Sequence, residues 1–293
     1  MGRNMLGFLN INKPSGVTSN YVVQRIKHKF HIKKIGHLGT LDPLASGVLP
    51  IAIGKATRLF DYTLAKDKRY IAVFDFGYTT DTLDITGNVT SSGGYIPTIS
   101  EISSVCSDMI GSQDQIPPMF SAKNVNGVRA YELARQGIQV DLRPKEITIH
   151  SLTCTQDLGG GRYIFDIVCS SGTYIRSIAR DIASKLDTYA CMSVLNRVRC
   201  GEFDIDNAID LEDLLSQDSL DEYLISPLKV LPKFDRITIS DQDLADILNG
   251  KSITTKPINT PTFVMHNENI VGVVKQSNDK LKLDTFLYEE GND

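Results

Sequence analysis

Alternation of apolar residues over residues 69–80 is the pattern that most limits the fold of this chain. In RYIAVFDFGYTT, the residues at every second position share one face of a predicted strand: Tyr70, Ala72, Phe74 and Phe76. Residues 160–186 read as a strand, a turn and a helix whose apolar residues recur at helical spacing. The chain therefore combines half-buried strands with amphipathic helices, which predicts a mixed α/β fold.

A single acidic residue stands out in GHLGTLDPLASGVLPIAIGKATRL, residues 36–59. Asp42 lies there in a Gly/Thr/Pro-rich turn just before an apolar run. One interpretation is a turn aspartate that bonds its own backbone ahead of Pro43. The other is a carboxylate held among cations, where it acts as a nucleophile or a base. The turn alone leaves both interpretations open.

Arg176 bears on that choice because of its place in a predicted helix. We expect Thr173 to cap this helix, which puts Arg176 in the first turn, where the helix dipole disfavours a cation. An arginine in such a place indicates an anionic partner, and Asp42 or a phosphate would serve. The alternative is a surface arginine that is tolerated at small cost. Tyr70 also has two interpretations, a core tyrosine or an aromatic platform on which a base stacks.

Charge is distributed unevenly along the chain. Residues 1–70 carry twelve basic and three acidic residues, a net charge of +9, although the whole chain has a formal net charge of −4. This asymmetry predicts one face that binds a polyanion, and it makes Lys33 and Lys34 candidate contacts. The alternative is a basic helix over residues 25–34 that is merely solvated. With no signal peptide or membrane span in the pattern, we expect a cytoplasmic protein.

Several common sites are not predicted from the sequence. The five cysteines are scattered without a C-x-x-C pair, which argues against disulfides and a zinc knuckle. His28 and His31 lie in a cationic stretch that would repel a metal ion, so we expect no metal. The segment SGVLPIAIGKAT misses the spacing of a P-loop, and the sequence contains no G-x-S-x-G motif.

Six motifs in order along the chain resemble those of tRNA pseudouridine synthases of the TruB type, which act on uridine 55 in the TΨC arm. The motif around Asp42 is similar to the aspartate motif that all pseudouridine synthases share in shorter form. The six segments are GFLNINKPSGVTSN, GHLGTLDPLASGVLPIAIGKATRL, KRYIAVFDFGYTTDTLDITG, PPMFSAKNVNGVRAYELARQG, CSSGTYIRSIARDIA and LNRVRCGEF. Residues 236–293 more weakly resemble the small PUA-type β-domain of RNA-modifying enzymes.

The resemblance implies a role for each matching residue. Asp42 would be the catalytic aspartate and Arg176 the arginine paired with it. Tyr70 would stack on the target uracil, and Leu195 would line the uracil pocket. No cofactor is implied, because the isomerisation neither oxidises the substrate nor imports a group.

Two further residues are assigned by the resemblance, and one position departs from the family pattern. His37 would help to hold the flipped loop bases, and Lys13 would support the loop that carries the aspartate. The family often has a basic residue after the pocket leucine, whereas this chain has Asn196, so a phosphate contact there is in doubt.

The expected architecture follows from the same resemblance. We expect a largely antiparallel central sheet with flanking helices and a small C-terminal PUA-like β-domain. The catalytic domain would span residues 1–230, with an RNA-clamping insertion at about 113–150, and the PUA-like domain would span residues 236–293. The expected partner is the T-arm stem-loop of tRNA, bound by a monomer.

Two rival functions remain at this point. One is a non-catalytic protein that binds or folds tRNA and has kept the same surface. The other is a glycoside or nucleoside hydrolase, which usually needs two carboxylates. Asp81 and Asp84 could be offered as such a pair, but they lie in a predicted loop far in sequence from Asp42.

Overall fold

The computed structural model describes most of the 293-residue chain. The described residues are 5–64, 67–121, 124–125, 127–129, 133, 136–138, 142–254, 261–277 and 280–288. Several positions of the predicted RNA-clamping insertion, 113–150, lie outside the described residues.

The described part of the chain contains the following strands and helices. The strands are β1 (Gly7–Lys13), β2 (Ile35–His37), β3 (Ser46–Ile53), β4 (Lys68–Phe76), β5 (Tyr78–Thr80), β6 (Val89–Ser92), β7 (Gly111–Gln115), β8 (Asn124–Val125), β9 (Val128–Arg129), β10 (Lys145–Gly159), β11 (Arg162–Cys169), β12 (Ala190–Cys200), β13 (Phe203–Asp204), β14 (Ile209–Asp210), β15 (Asp235–Thr238), β16 (Ile253–Thr254), β17 (Thr262–His266), β18 (Asn269–Ser277) and β19 (Lys280–Phe286). The α-helices are α1 (Ser19–Lys29), α2 (Phe60–Leu64), α3 (Ile99–Asp108), α4 (Ile175–Lys185), α5 (Leu211–Ser216), α6 (Pro227–Val230) and α7 (Asp241–Leu248). Short 3-10 helices lie at Gly54–Leu59, Ile205–Asn207 and Asp221–Tyr223.

A ten-stranded sheet forms the centre of the molecule. Its strands follow the order β14-β1-β3-β12-β4-β11-β10-β7, while β2 pairs with β3 and β13 with β12. The pairs β1–β14 and β3–β12 are parallel, and the other pairs of this sheet are antiparallel. The predicted mixed fold with a largely antiparallel central sheet is therefore confirmed.

The main hydrophobic core lies between this sheet and the helices α1, α3 and α4. The alternating residues of β4 face this core, as the sequence predicts, and they pack with apolar residues of all three helices. Each fully buried aliphatic or aromatic side chain contributes about 1.5–3 kcal/mol. The sheet and its helices thereby hold in place the two elements that carry Tyr70 and Arg176.

The ends of the helices agree with the sequence in one case and differ in another. The sequence offers Thr18 or Ser19 as the cap of α1, and in the structure the Thr18 hydroxyl accepts a hydrogen bond from the Tyr21 backbone N–H. The expected cap of α4 by Thr173 is wrong, because the N-cap residue is Tyr174 and no side-chain cap hydrogen bond forms there. Arg176 nevertheless lies in the first turn of α4.

A second sheet of five strands, in the order β15-β17-β18-β19-β16, lies at the C-terminal end of the chain. It confirms the predicted C-terminal β-structure. The two sheets share a hydrophobic cluster in which Phe8 and Leu59 join Phe263 and Leu287. Residues 227–234 form α6 and the turn before β15, and Val230 is buried in this cluster.

None of the helices in the described ranges has the length and apolar character needed to cross a membrane.

Candidate active site

A pocket of about 400 Å³ is lined in part by residues of the central sheet. Tyr70 of β4 and Leu195 of β12 form part of its wall, and the loop after β2 brings Asp42 to it. The start of α4 brings Arg176. The volume lies in the range of small-molecule sites and is sufficient for a single nucleoside.

Hydrogen bonds to the preceding segment fix the loop that carries Asp42. Ser19 is buried at the start of α1, and its hydroxyl accepts from the Leu41 backbone N–H at 2.9 Å and donates to the Leu41 carbonyl at 3.1 Å. The Gly16 N–H donates to the Pro43 carbonyl at 2.8 Å. The residues on both sides of Asp42 are thus held by the chain between β1 and α1.

Lys13 supports the same loop from the end of β1. Its side chain is fully buried, and the ammonium group donates to the carbonyls of Pro14 and Val17 at 2.8 and 2.7 Å and to that of Pro43 at 3.5 Å. Burial lowers the pKa of Lys13 to about 8, while the charge of Asp42 opposes this shift. Lys13 therefore lies beside the loop that carries Asp42.

The predicted pairing of Arg176 with Asp42 is present. Arg176 Nε lies 2.9 Å from Asp42 Oδ2, and Arg176 Nη2 donates to Asp42 Oδ1 at 3.1 Å. This bidentate contact fixes the carboxylate plane as well as its charge. The Arg176 side chain is 5% exposed and that of Asp42 is 34% exposed, so the carboxylate is the member of the pair that faces the pocket opening.

The remaining N–H groups of Arg176 bind other parts of the chain. Nη1 donates to the Thr82 carbonyl at 2.9 Å and lies 3.5 Å from Asp84 Oδ2. Nη2 also donates to the Phe120 carbonyl at 3.0 Å. Because a guanidinium has five donors in a rigid fork, these contacts together fix its orientation toward Asp42.

Asp84 is a second carboxylate on the same arginine, and its place was not predicted. Its side chain is 7% exposed. Asp84 Oδ1 accepts hydrogen bonds from the Thr82 hydroxyl and from the backbone and hydroxyl of Thr86. These contacts turn Asp84 toward Arg176 and away from the pocket opening, which does not suit the paired-carboxylate chemistry of a hydrolase.

Tyr70 and Leu195 lie on neighbouring strands and both line the pocket. Tyr70 is buried, and this burial raises the pKa of its hydroxyl, while nearby Arg197 opposes the shift. The tyrosine therefore presents a neutral ring to the pocket. Both predicted residues are accordingly in contact with the space that Asp42 faces.

Arg197 is a functional candidate that the sequence analysis missed. It is fully buried, donates from Nε to the Val48 carbonyl at 2.7 Å and from Nη2 to the Gly39 carbonyl at 3.1 Å, and lines the pocket. Its position two residues after Leu195 on a strand puts it on the same face, a signal that could have identified it. Among the described residues that line the pocket, Asp42 is the one acid, and the basic ones are Lys68, Lys145, Arg176 and Arg197.

Other predicted contacts lie outside the pocket lining. His37 ends β2, and burial together with Arg197 lowers its pKa. Lys33 and Lys34 are exposed on the connection between α1 and β2. Asn196 is half-buried, and its side-chain oxygen is buried and has no hydrogen-bond partner among the described residues.

Two family models match adjoining parts of the chain. Residues 27–175 match the TruB family pseudouridylate synthase N-terminal domain, and residues 176–231 match the tRNA pseudouridylate synthase B C-terminal domain. The chain therefore belongs to the TruB family of pseudouridylate synthases, which confirms the resemblance of its motifs.

Relatives and solved structures agree with this assignment. The chain is 38% identical to tRNA pseudouridine synthase B of Clostridium perfringens over 98% of its length and 100% of that protein. It is 39% identical to tRNA pseudouridine synthase B of Caldanaerobacter subterraneus over 84% of its length and 86% of that protein. A solved Cbf5-Nop10-Gar1 complex contains a chain with a TM-score of 0.70 and 25% identity, covering 96% of this chain and 84% of that one.

Proposed function

We propose that this pseudouridine synthase isomerises uridine 55 in the TΨC loop of tRNAs, with Asp42 acting on a flipped-out nucleotide. Membership of the TruB family supports pseudouridine formation, and the relatives named tRNA pseudouridine synthase B support tRNA as the substrate. The observation that carries the role of Asp42 is its bidentate contact with Arg176 at a pocket of nucleoside size.

The reaction moves the uracil between two bonds to the same sugar. The N1–C1′ bond breaks, the base turns, and a C5–C1′ bond forms; C5 then loses a proton and N1 gains one. Asp42 supplies the anion that attacks or stabilises the C1′ or C6 centre. Arg176 holds this carboxylate in one orientation, so the carboxylate loses little conformational entropy when it reacts.

The detached uracil has to stay in the pocket while it turns. Tyr70 offers a flat neutral ring, and stacking of a base on such a ring contributes about 1–3 kcal/mol. Leu195 offers an apolar wall that neither binds nor repels any one edge of the base. Together they retain the uracil and exclude water, which would otherwise hydrolyse the intermediate.

Extraction of the nucleotide from the folded loop costs a few kcal/mol of unstacking. Phosphate contacts with basic residues compensate for this cost of unstacking. Arg197, Lys68 and Lys145 provide positive charge within the pocket, while Lys33 and Lys34 would act on the RNA outside it. His37 would contact the flipped bases beside the Asp42 loop.

The larger organisation of the protein is part of this proposal. Residues 1–230 would form the catalytic domain with its RNA-clamping insertion at about 113–150. Residues 236–293 would form a PUA-like RNA-binding domain, an assignment supported by the five-stranded C-terminal sheet. We also propose that the protein acts as a monomer in the cytoplasm.

Incubation with a T-arm stem-loop, followed by mapping of pseudouridine, tests the proposal. A stem-loop with cytidine at the target position is the matched control. Conversion at the target uridine alone is the expected result. RNA binding without conversion would favour the non-catalytic alternative, and release of free uracil would favour a hydrolase.

A further inference from the structure

Gln115 makes a paired contact with the start of α4, the helix that carries Arg176. It is the last residue of β7 and is 3% exposed. The Tyr174 backbone N–H donates to Gln115 Oε1 at 2.8 Å, and Gln115 Nε2 donates to the Tyr174 carbonyl at 3.2 Å. One side-chain amide thus satisfies both backbone groups of the N-cap residue, which has no side-chain cap of its own.

The residues that follow Gln115 extend this contact along the helix. The Ile116 carbonyl accepts from the Ser177 hydroxyl at 3.0 Å and from Arg180 Nη2 at 2.9 Å. The Phe120 carbonyl accepts from Arg176 Nη2 at 3.0 Å. We call residues 115–120 the buttress segment, since it is bonded to the first turns of α4 at several points.

The position of Arg176 depends on this support. Its guanidinium binds the Asp42 carboxylate and the carbonyls of Thr82 and Phe120, with donor–acceptor distances between 2.9 and 3.1 Å. A helix start that moves by about 1 Å would stretch them beyond useful hydrogen-bond length. Misplacement of this size in a catalytic group costs up to about 100-fold in rate.

We propose that Gln115 is a positioning residue for the reaction: it fixes the first turn of α4 so that Arg176 holds Asp42 in its reactive orientation. The inference rests on the proposed function of Asp42. Gln115 forms no hydrogen bond with Asp42 or Arg176 among the described contacts; it acts on them through Tyr174. The buttress segment also lies within the region predicted to clamp RNA. The same residues would therefore belong to the RNA clamp and hold the helix that carries Arg176.

The test compares Gln115→Met with Gln217→Met in the full-length protein. Methionine keeps the volume of glutamine and removes its hydrogen bonds. Gln217 is the control, because it lies outside the predicted RNA-clamping insertion and its amide donates to the Asp213 carbonyl at 3.1 Å, a contact with the end of α5 rather than with α4. Single-turnover rate, Kd for a T-arm stem-loop and melting temperature are measured for each.

Gln115→Met should lower the single-turnover rate by about 10–100-fold and leave Kd within about threefold. Gln217→Met should keep a rate within about threefold of wild type, even if its melting temperature falls equally. Should Gln115→Met fail to fold, Gln115→Glu keeps the acceptor for the Tyr174 N–H, and its rate should fall by about 3–10-fold.

Two results overturn the inference. One is a folded Gln115 variant with the wild-type rate, and the other is an equal loss of rate in both methionine variants. Wild-type protein that forms no pseudouridine would instead overturn the proposed function, so the two failures are distinguishable.

Discussion

Replacement of Asp42 by asparagine separates the chemistry of the site from its stability and from RNA binding. The amide keeps one oxygen that can accept from Arg176, but its NH2 group faces another donor of the guanidinium. The native pair has two charge-assisted hydrogen bonds, from Arg176 Nε to Asp42 Oδ2 at 2.9 Å and from Arg176 Nη2 to Asp42 Oδ1 at 3.1 Å, and the variant loses one of them. Such bonds are worth about 1.5–3 kcal/mol, and this value needs a discount because the Asp42 side chain is 34% exposed.

We therefore expect Asp42→Asn to lower the free energy of unfolding by about 1–2 kcal/mol. For a chain of this size the melting temperature should fall by about 2–8 °C. The loss stays moderate because the charge of Arg176 still faces Asp84 at 3.5 Å. The protein should therefore remain folded at assay temperature.

The effect on the reaction should be much larger. An amide is neither a nucleophile nor a base, so the single-turnover rate should fall by at least about 10⁴-fold, which corresponds to about 5.5 kcal/mol. Kd for the RNA should stay within about threefold, since phosphate contacts come from other residues. Pseudouridine formed from a labelled T-arm stem-loop gives the rate, and fluorescence anisotropy gives Kd.

Asp84→Asn is the control, because Asp84 contacts the same guanidinium but is buried away from the pocket opening. It should reduce the rate by about 10–100-fold through misplacement of Arg176, and thus far less than Asp42→Asn. Residual turnover above a few per cent in Asp42→Asn would refute the role of this carboxylate. Equal losses in the two variants would show that both act only through the arginine.

Three other perturbations test separate parts of the site. Tyr70→Phe keeps the stacking ring and should retain at least about a tenth of the wild-type rate, whereas Tyr70→Leu should lose about 1–3 kcal/mol of stacking; equal rates for the two variants would contradict the platform role. Lys33→Gln combined with Lys34→Gln should reduce the magnitude of the negative slope of log K against log salt by about 1.5 in RNA-binding titrations, and an unchanged slope would place the RNA elsewhere. The lowered pKa of Lys13, about 8 against 10.5 for a free lysine, means that the unfolded chain binds more protons between these values, so the free energy of unfolding rises with pH. Relative to Lys13→Met, the wild-type protein should gain up to about 3 kcal/mol from pH 8 to 10.5 in urea denaturation, and a constant difference would show that the lysine titrates normally.

Local patterns predicted those features that depend on neighbouring residues. Alternation along β4 gave the inward face that contains Tyr70, and an arginine at an unfavourable helix position indicated its anionic partner. Both inferences use interactions within one element, or a local cost that something else has to offset. The same reasoning offered Thr18 or Ser19 as the cap of α1, and the cap is Thr18.

Features that depend on distant parts of the chain were not predicted. Asp84 reaches Arg176 because an isolated bridge joins it to Met192, far along the sequence. Arg197 is a fully buried cation, whereas sequence rules place most charged side chains at the surface. Its guanidinium donates hydrogen bonds to the backbone carbonyls of Val48 and Gly39 instead of to water. Gln115 reaches the start of α4 from β7 and binds the backbone of Tyr174 rather than an N–H of the first turn, so helix-capping rules could not identify it.

The hydrophobic cluster between the two sheets limits how this enzyme can be dissected. Phe8 and Leu59 from the large sheet side meet Phe263 and Leu287 from the C-terminal sheet, and the Arg58 guanidinium donates to the Phe286 carbonyl at 2.8 Å. A chain cut after residue 230 would leave the first pair facing water. Such a fragment would tend to self-associate, so the contribution of the C-terminal sheet to RNA affinity is better measured by surface substitutions on that sheet than by its deletion.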